Sequence, residues 1–187
     1  MPRETASSVA VPVLRAVSAA ELARRNDLTE LVVRSFDDLR VPLLRYLSSF
    51  GLRVQDGEEV LQEVFLSLFQ HLDRGKSRAN LRGWLFRVAH NLALKKRTRI
   101  GETFAAQAAR LAIDPAPNPE DQAVNQQTRQ RLLAVVDALP EQDRRCLFLR
   151  AEGLRYREIA EILDMSLGGV SLSLARSLAR ISHSVEQ

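Results

Sequence analysis

The stretch Gly153 to Ile181, GLRYREIAEILDMSLGGVSLSLARSLARI, constrains the fold more than any other. Ile159, Ala160 and Leu163 fall on one side of a short helix, and Val170, Leu174, Leu178 and Ile181 recur at steps of four, four and three on the next. Two apolar stripes joined by a tight turn must pack on each other. Ala160 then sits at the closest approach, and Ser166 can cap the second helix by accepting a backbone N–H of its first turn. This is the layout of a helix-turn-helix, whose second helix is the candidate reader of a DNA groove; a plain pair of core helices with a serine cap gives the same pattern. With Val170, Leu174 and Ile181 facing in, steps of about 100° per residue turn Gly168, Leu172, Ala175, Arg176 and Ala179 outward, with Ser171 and Ser173 on the flanks. That outer face carries one charge.

Charge distribution says more about partners than the modest net charge of +4. Between Arg74 and Arg99 there are nine basic residues and no Asp or Glu. The remaining residues hold 18 basic against 23 acidic, so all the excess positive charge lies in this one window. Such a run is commonly a solvated face. One without compensating acids repels itself, however, and points to a polyanion as its partner.

Taken in order, residues 1–25 mix Pro, Ser, Ala and Val without a period and read as a loose arm, with one helical turn at most near Ala19 to Arg25. From Thr29, Leu31, Phe36, Leu39, Leu43, Leu44 and Leu47 mark two helical segments around Pro42, which is expected to kink the helix or start a new one. Gly51 ends this arm of a hairpin. The next helix, roughly Gly57 to Leu72, carries Val60, Leu61, Val64, Phe65, Leu68 and Leu72 inward. Asp56, Glu58, Glu59 and Glu63 crowd its first turns, which suits the helix dipole and equally makes an acidic patch, with Gln62, for a basic partner.

Residues 73–80, DRGKSRAN, form a polar loop, after which Leu81, Trp84, Leu85, Val88 and Leu92 resume the helical period up to KKRTR. Two roles stay open for Trp84: a core side chain, or a stacking platform among cations of the kind that holds single strands. The loop residues Lys76, Arg78 and Asn80 could cradle unstacked bases. Residues 101–118 read as a linker ending in a proline-rich stretch. Asn118 can cap a new helix with Pro119 in its first position. Leu132, Leu133, Val136 and Leu139 belong to that helix, which stops at Pro140. A further helix, Glu141 to Glu152, packs Cys146, Leu147 and Leu149 and ends at Gly153.

The expected fold class is therefore all-α: two small helical domains, 26–100 and 119–187, joined by a flexible proline-bearing linker, the second being the helix-turn-helix. With 45% hydrophobic residues the chain has enough apolar material for both cores. A single cysteine excludes an internal disulfide and a cysteine-rich zinc site. His71, His90 and His183 lack partners at metal-ligand spacing, and there is no phosphate loop, nucleophile elbow or HExxH motif. No catalytic residue, metal or cofactor is expected. Without a membrane-length apolar run or a signal-peptide core, the protein is expected in the cytoplasm with no direct membrane contact.

Three blocks in order carry a family resemblance. FDDLRVPLLRYLSSFG with DGEEVLQEVFLSLFQHL, then NLRGWLFRVAHNLALKKRTR, then LPEQDRRCLFLRAEGLRYREIAEILDMS resemble bacterial RNA polymerase sigma factors of the sigma-70 family, in the extracytoplasmic-function group, over about residues 28–182. The resemblance implies a factor that binds core polymerase, directs it to promoters and promotes melting, with no catalysis of its own. Asp56, Glu59, Gln62 and Glu63 would dock on the clamp coiled coil of the beta-prime subunit. Lys76, Arg78, Asn80, Arg82, Trp84, Arg87, Asn91, Lys95, Lys96 and Arg97 would hold the non-template strand of the minus-10 element. Arg155, Tyr156, Arg157, Ser166, Gly168, Gly169, Ser171, Leu172, Ser173 and Arg176 would read the minus-35 element as duplex. An anti-sigma protein is a further implied partner. Binding an open strand better than a duplex is all that melting requires of such a factor: cations supply affinity and pocketed bases supply selectivity.

The chain departs from the family pattern where Asp164 replaces the usual glycine of the turn, a substitution that Asp tolerates in left-handed geometry. Ser171 and Ser173 stand where Lys and Arg are common, and Ala175 where a polar side chain is frequent. Weak duplex binding by the C-terminal domain alone is the consequence expected. Two other functions fit parts of the chain: a stand-alone helix-turn-helix regulator, which has no need of the cationic window, and a sigma-like interaction scaffold with weakened DNA reading, favoured by the charge-poor helix.

Overall fold

The computed structural model describes residues 19–103 and 122–185, and among them all regular structure is helical. Seven helices run α1 (Ala19–Ser48), α2 (Val54–Asp73), α3 (Leu81–Thr103), α4 (Gln122–Asp137), α5 (Glu141–Ala151), α6 (Tyr156–Leu163) and α7 (Leu167–Val185). The first three make an N-terminal lobe and the last four a C-terminal lobe. Most of the expected arm and linker, and the proposed cap at Asn118 and Pro119, lie outside the described residues.

In α2 the helical period and the observed burial coincide: Val60, Leu61, Val64, Phe65, Leu68 and Leu72 are all buried. They meet Leu39, Leu43, Tyr46 and Leu47 of α1 and Leu85, Phe86, Ala89 and Ala93 of α3 in one apolar cluster. Phe36 and Phe65 pack edge to face with centroids 5.0 Å apart, and Tyr46 does the same with Phe86 at 5.6 Å. Gly51 follows α1 with a positive φ of 71°, a turn that a side chain would strain.

Of the two outcomes expected at Pro42, a kink or a new helix, the second does not occur: α1 continues through it. A proline removes one i→i−4 hydrogen bond, at a cost of about 3 kcal/mol in an unsupported helix. Here Leu39 precedes it and Leu43, Tyr46 and Leu47 follow it, all buried in the same core, so packing on both sides holds both halves to the lobe. The helix already includes Ala19 to Arg25, within the segment read as a loose arm.

The C-terminal lobe follows the expected plan. Asp164 ends α6 with φ 52° and ψ 52°, the left-handed geometry foreseen for it. Ser166 caps α7, its Oγ accepting the Gly169 N–H at 3.0 Å. Glu158 accepts the Arg155 N–H at 2.7 Å and so closes the first turn of α6. Cys146, Leu149, Leu154, Ile159, Ile162, Val170 and Leu174 form its core. That core is continuous with that of the N-terminal lobe, and helices α1 and α3 touch α5 and α6.

The inner stripe of α7 differs from the one read from leucine spacing. Leu178 is 58% exposed, whereas Ser173 and Ser177 are fully buried. Asp143 explains the shift. This carboxylate of α5, 2% exposed, accepts the Ser173 hydroxyl at 2.6 Å and the Arg176 guanidinium at 2.8 and 3.2 Å. A buried charge needs its donors beside it, and that requirement rotates the serine side of α7 inward.

Candidate nucleic-acid interface

The cationic window folds into the loop after α2 and the length of α3. Asn80 starts α3: its Oδ1 accepts the Gly83 N–H at 3.2 Å while its own φ is 49°. A Cβ on Gly83 would meet Asn80 Nδ2 at 2.6 Å, so the glycine makes room for the cap. Asn80 therefore has a structural task in the place where the sequence suggested base contact. Lys76 and Arg78 project from the loop, and Arg78 reaches Asp27 of α1 at 2.9 Å. Trp84 is half-buried against the core, its ring 4.5 Å from that of His71. One side of the ring packs on the lobe, and the rest remains open to solvent.

Along α3, Arg82, Arg87, Asn91 and Lys95 are exposed while Lys96 and Arg97 are partly covered. Most of these cations are neutralised by acids from outside the window, which the composition of the window could not reveal. Arg82 donates to the backbone carbonyl of Glu152 at 2.6 and 3.1 Å and lies 3.5 Å from its carboxylate. Arg87 pairs with Glu161 of α6, and Arg97 with Glu141 of α5 at 2.6 Å. Lys96 pairs with Glu59 and, at 3.3 Å, with Asp56. The Arg97 guanidinium holds the Glu141 carboxyl below its usual range, against the opposing effect of partial burial.

Asp56 does not belong to an exposed acidic patch. It is 5% exposed, bound to Arg53 at 2.9 Å as well as to Lys96. Burial pushes its carboxyl up, and the two cations outweigh that and leave it below the ordinary value. The residue ties α2 to α3. Glu59, Gln62 and Glu63 do stand exposed on the outer face of α2, and the same face continues into Leu66, 57% exposed, and Phe69, 37%. Those two apolar side chains were missed in the sequence because they lie one position off the buried stripe.

On the C-terminal lobe, Arg155, Tyr156, Arg157, Ser166, Gly168, Ser171, Leu172 and Arg176 are exposed, and Gly169 is partly covered. Tyr156 carries the Arg150 guanidinium over its ring at 5.6 Å. Ser173 is withdrawn into the lobe, and Arg176 is held by Asp143, so only part of the predicted reading face meets solvent with free donors. Asp143 was not foreseen as an organiser of this face. Arg176 holds its carboxyl below the usual value, opposed by burial and helped by the Ser173 hydroxyl.

Comparison with known proteins follows the same two-lobe division. Residues 36–102 match the family profile Sigma-70 region 2, and residues 129–181 match Sigma-70, region 4. The chain is 31% identical over 140 residues to the probable RNA polymerase sigma factor RfaY of Xanthomonas campestris pv. campestris, a match covering 72% of this chain and 35% of that protein. It is 29% identical over 167 residues to the ECF RNA polymerase sigma-E factor of Escherichia coli K12, covering 83% of this chain and 85% of that one. Among solved structures, CnrH in complex with the cytosolic domain of CnrY superposes with a TM-score of 0.59 at 19% identity, over 88% of this chain and 96% of CnrH. The sigma factor RpoE of Bartonella quintana, in complex with the anti-sigma factor NepR, gives 0.57 at 18% identity, over 80% and 95%.

Proposed function

The chain belongs to the sigma-70 family of RNA polymerase sigma factors, in its extracytoplasmic-function group, and from that premise we propose that its two lobes are the two readers of a bipartite promoter. The observation that carries this reading is the coexistence of a cation-bearing α3 in the region 2 match with the α6–α7 helix-turn-helix in the region 4 match. The N-terminal lobe holds the unpaired non-template strand through Lys76, Arg78, Arg82, Arg87, Lys95 and Arg97. The C-terminal lobe lays the first turns of α7 in the duplex groove, with Arg155, Arg157, Ser171 and Leu172 at the DNA. Glu59, Gln62 and Glu63, extended by Leu66 and Phe69, meet the polymerase clamp; a charged rim beside exposed apolar side chains suits a stable protein contact. An anti-sigma protein as a further partner is supported by the structural neighbour RpoE, a sigma factor bound to the anti-sigma factor NepR.

The stand-alone regulator loses its basis, because residues 36–102 match the region that such a regulator lacks a use for. Melting follows from binding alone: the factor lowers the free energy of the open strand and leaves RNA synthesis to the polymerase. Mixed with core polymerase and a promoter library, the protein is expected to produce permanganate-reactive thymines just upstream of the start site, and only when both proteins are present. Reactivity without the protein, or none despite stable polymerase binding, would overturn the reading. No helix among the described residues is long and apolar enough to cross a membrane.

A further inference from the structure

The start of α7 holds two residues whose placement the lobe itself does not explain. A Cβ on Gly168 would meet nothing within 4 Å, and its φ is not positive. Neither packing nor backbone geometry asks for glycine there, and within a helix glycine is less stable than alanine. Gly169 is different, because a Cβ there would lie 3.2 Å from Ser166 Oγ, the oxygen that caps the helix. The room at Gly168 therefore serves something outside the chain. One turn further on, Leu172 stands 57% exposed. Steps of about 100° per residue put Ala175, Arg176 and Ala179 on the same face as these two, all of them exposed. Arg176 commits its Nε and one terminal nitrogen to Asp143, at 3.2 and 2.8 Å. Ser171 stands on the flank, where its hydroxyl can bond to any base, and Ser173 is buried. The middle of the reading face thus offers a base the branched end of a leucine, with no amide, no carboxylate and no uncommitted guanidinium. In the major groove one group answers to that chemistry, the C5-methyl of thymine.

We propose that Leu172 is the specificity-determining residue of the C-terminal lobe, reading a thymine of the minus-35 duplex by its C5-methyl, with Gly168 letting the helix backbone come close enough for contact. The inference rests on the duplex-reading role given to α7 above. An apolar contact of this kind is blind to the polar edge of the base pair. It follows that 5-methylcytosine paired with guanine substitutes for thymine, because its methyl stands at the same place in the groove, while uracil and cytosine do not. Methylation of a cytosine at that step then turns a poor site into a good one.

The test uses the full chain with core polymerase, on the promoter recovered by permanganate mapping. Each thymine of the minus-35 element is replaced singly by deoxyuridine, which removes the methyl and nothing else. At one or two adjacent positions the replacement is expected to weaken promoter binding by about fourfold, the equivalent of burying one methyl group. Cytosine at that position should weaken binding at least as much, and 5-methylcytosine should recover most of the loss. Leu172→Ser, at an exposed position, should bind core polymerase as before and bind the promoter equally with thymine or deoxyuridine. Gly168→Ala should keep or raise thermal stability and still weaken promoter binding. Tolerance of deoxyuridine throughout, a minus-35 element without thymine, or a deoxyuridine penalty that survives Leu172→Ser would overturn the proposal. Loss of polymerase binding in Leu172→Ser would overturn it too, giving the residue to a protein partner. Hydroxyl-radical footprints of the double variant Arg155→Ala, Arg157→Ala separate the two failures. Protection of the minus-35 duplex that the double variant abolishes keeps α7 as a duplex reader and sinks methyl reading alone, whereas a duplex that is unprotected, or protected regardless of these substitutions, sinks both.

Discussion

His90 shows how one residue sets the acid limit of the fold. It lies 7% exposed inside the N-terminal lobe, joined to the Tyr46 hydroxyl through Nδ1 at 2.7 Å and flanked by Phe50. Burial, with the Arg145 charge nearby, pushes its pKa down to about 4, and burial raises that of Tyr46 well above its usual value. The folded state thus holds His90 neutral while the unfolded chain takes up a proton near pH 6.5. Stability is complete above that pH and falls as pH drops from 6.5 towards 4, by at most about 3 kcal/mol. The lowered carboxyls of Asp56, Glu141 and Asp143 also lose stability on acidification, but only below the ordinary carboxylate range. Urea titrations at pH 7 and pH 5 should therefore differ for the natural chain and much less for His90→Gln, which keeps an acceptor for Tyr46 and cannot titrate. An equal loss in both would remove His90 from this role.

At the scale of the helix, α7 separates what a sequence reveals from what it does not. Its outward set of Gly168, Leu172, Ala175, Arg176 and Ala179 is exposed as the helical period requires. The neighbouring serines part company: Ser171 is exposed, Ser173 is buried under Asp143. Periodicity treats serine as surface, and only the position of a carboxylate thirty residues earlier in the chain turns it inward. The same limit applies to Asp56, which belongs to the α2–α3 seam, and to Pro42, whose helix is kept whole by packing. By contrast the buried face of α2, the Ser166 cap and the Asp164 turn were legible because each depends on residues within a few positions of one another. A paired substitution checks the assignment. Ser171→Arg should leave thermal stability unchanged and add about one phosphate contact, steepening the salt dependence of duplex binding by close to one unit. Ser173→Arg should cost about 3 kcal/mol or more, because it buries a second cation beside Arg176 and breaks the Asp143 network. Equal tolerance at both sites would contradict the observed rotation of α7.

For the whole molecule, the cationic window was visible in the sequence and its neutralisation was not, since Glu141, Glu152 and Glu161 lie 44 to 74 residues from their partners. The packing of the two lobes also bears on how a promoter is reached. The longest helix of the closed body, α1 with 30 residues, spans about 45 Å. Two promoter elements some 25 base pairs apart are separated by about 85 Å of duplex. On the proposed assignment of one element to each lobe, the closed arrangement is too short to touch both, and reading them in one complex requires the lobes to part within the reach of residues 104–121, at most about 60 Å when fully extended. Removing nine of those residues would halve this reach. Such a chain should still bind core polymerase, yet lose melting at promoters with both elements at their natural spacing. It should regain part of that activity on templates whose spacer is shortened. Permanganate footprints across a spacer series would show the optimum moving to shorter spacing; an unmoved optimum would mean that the polymerase, and not the chain between the lobes, sets the distance.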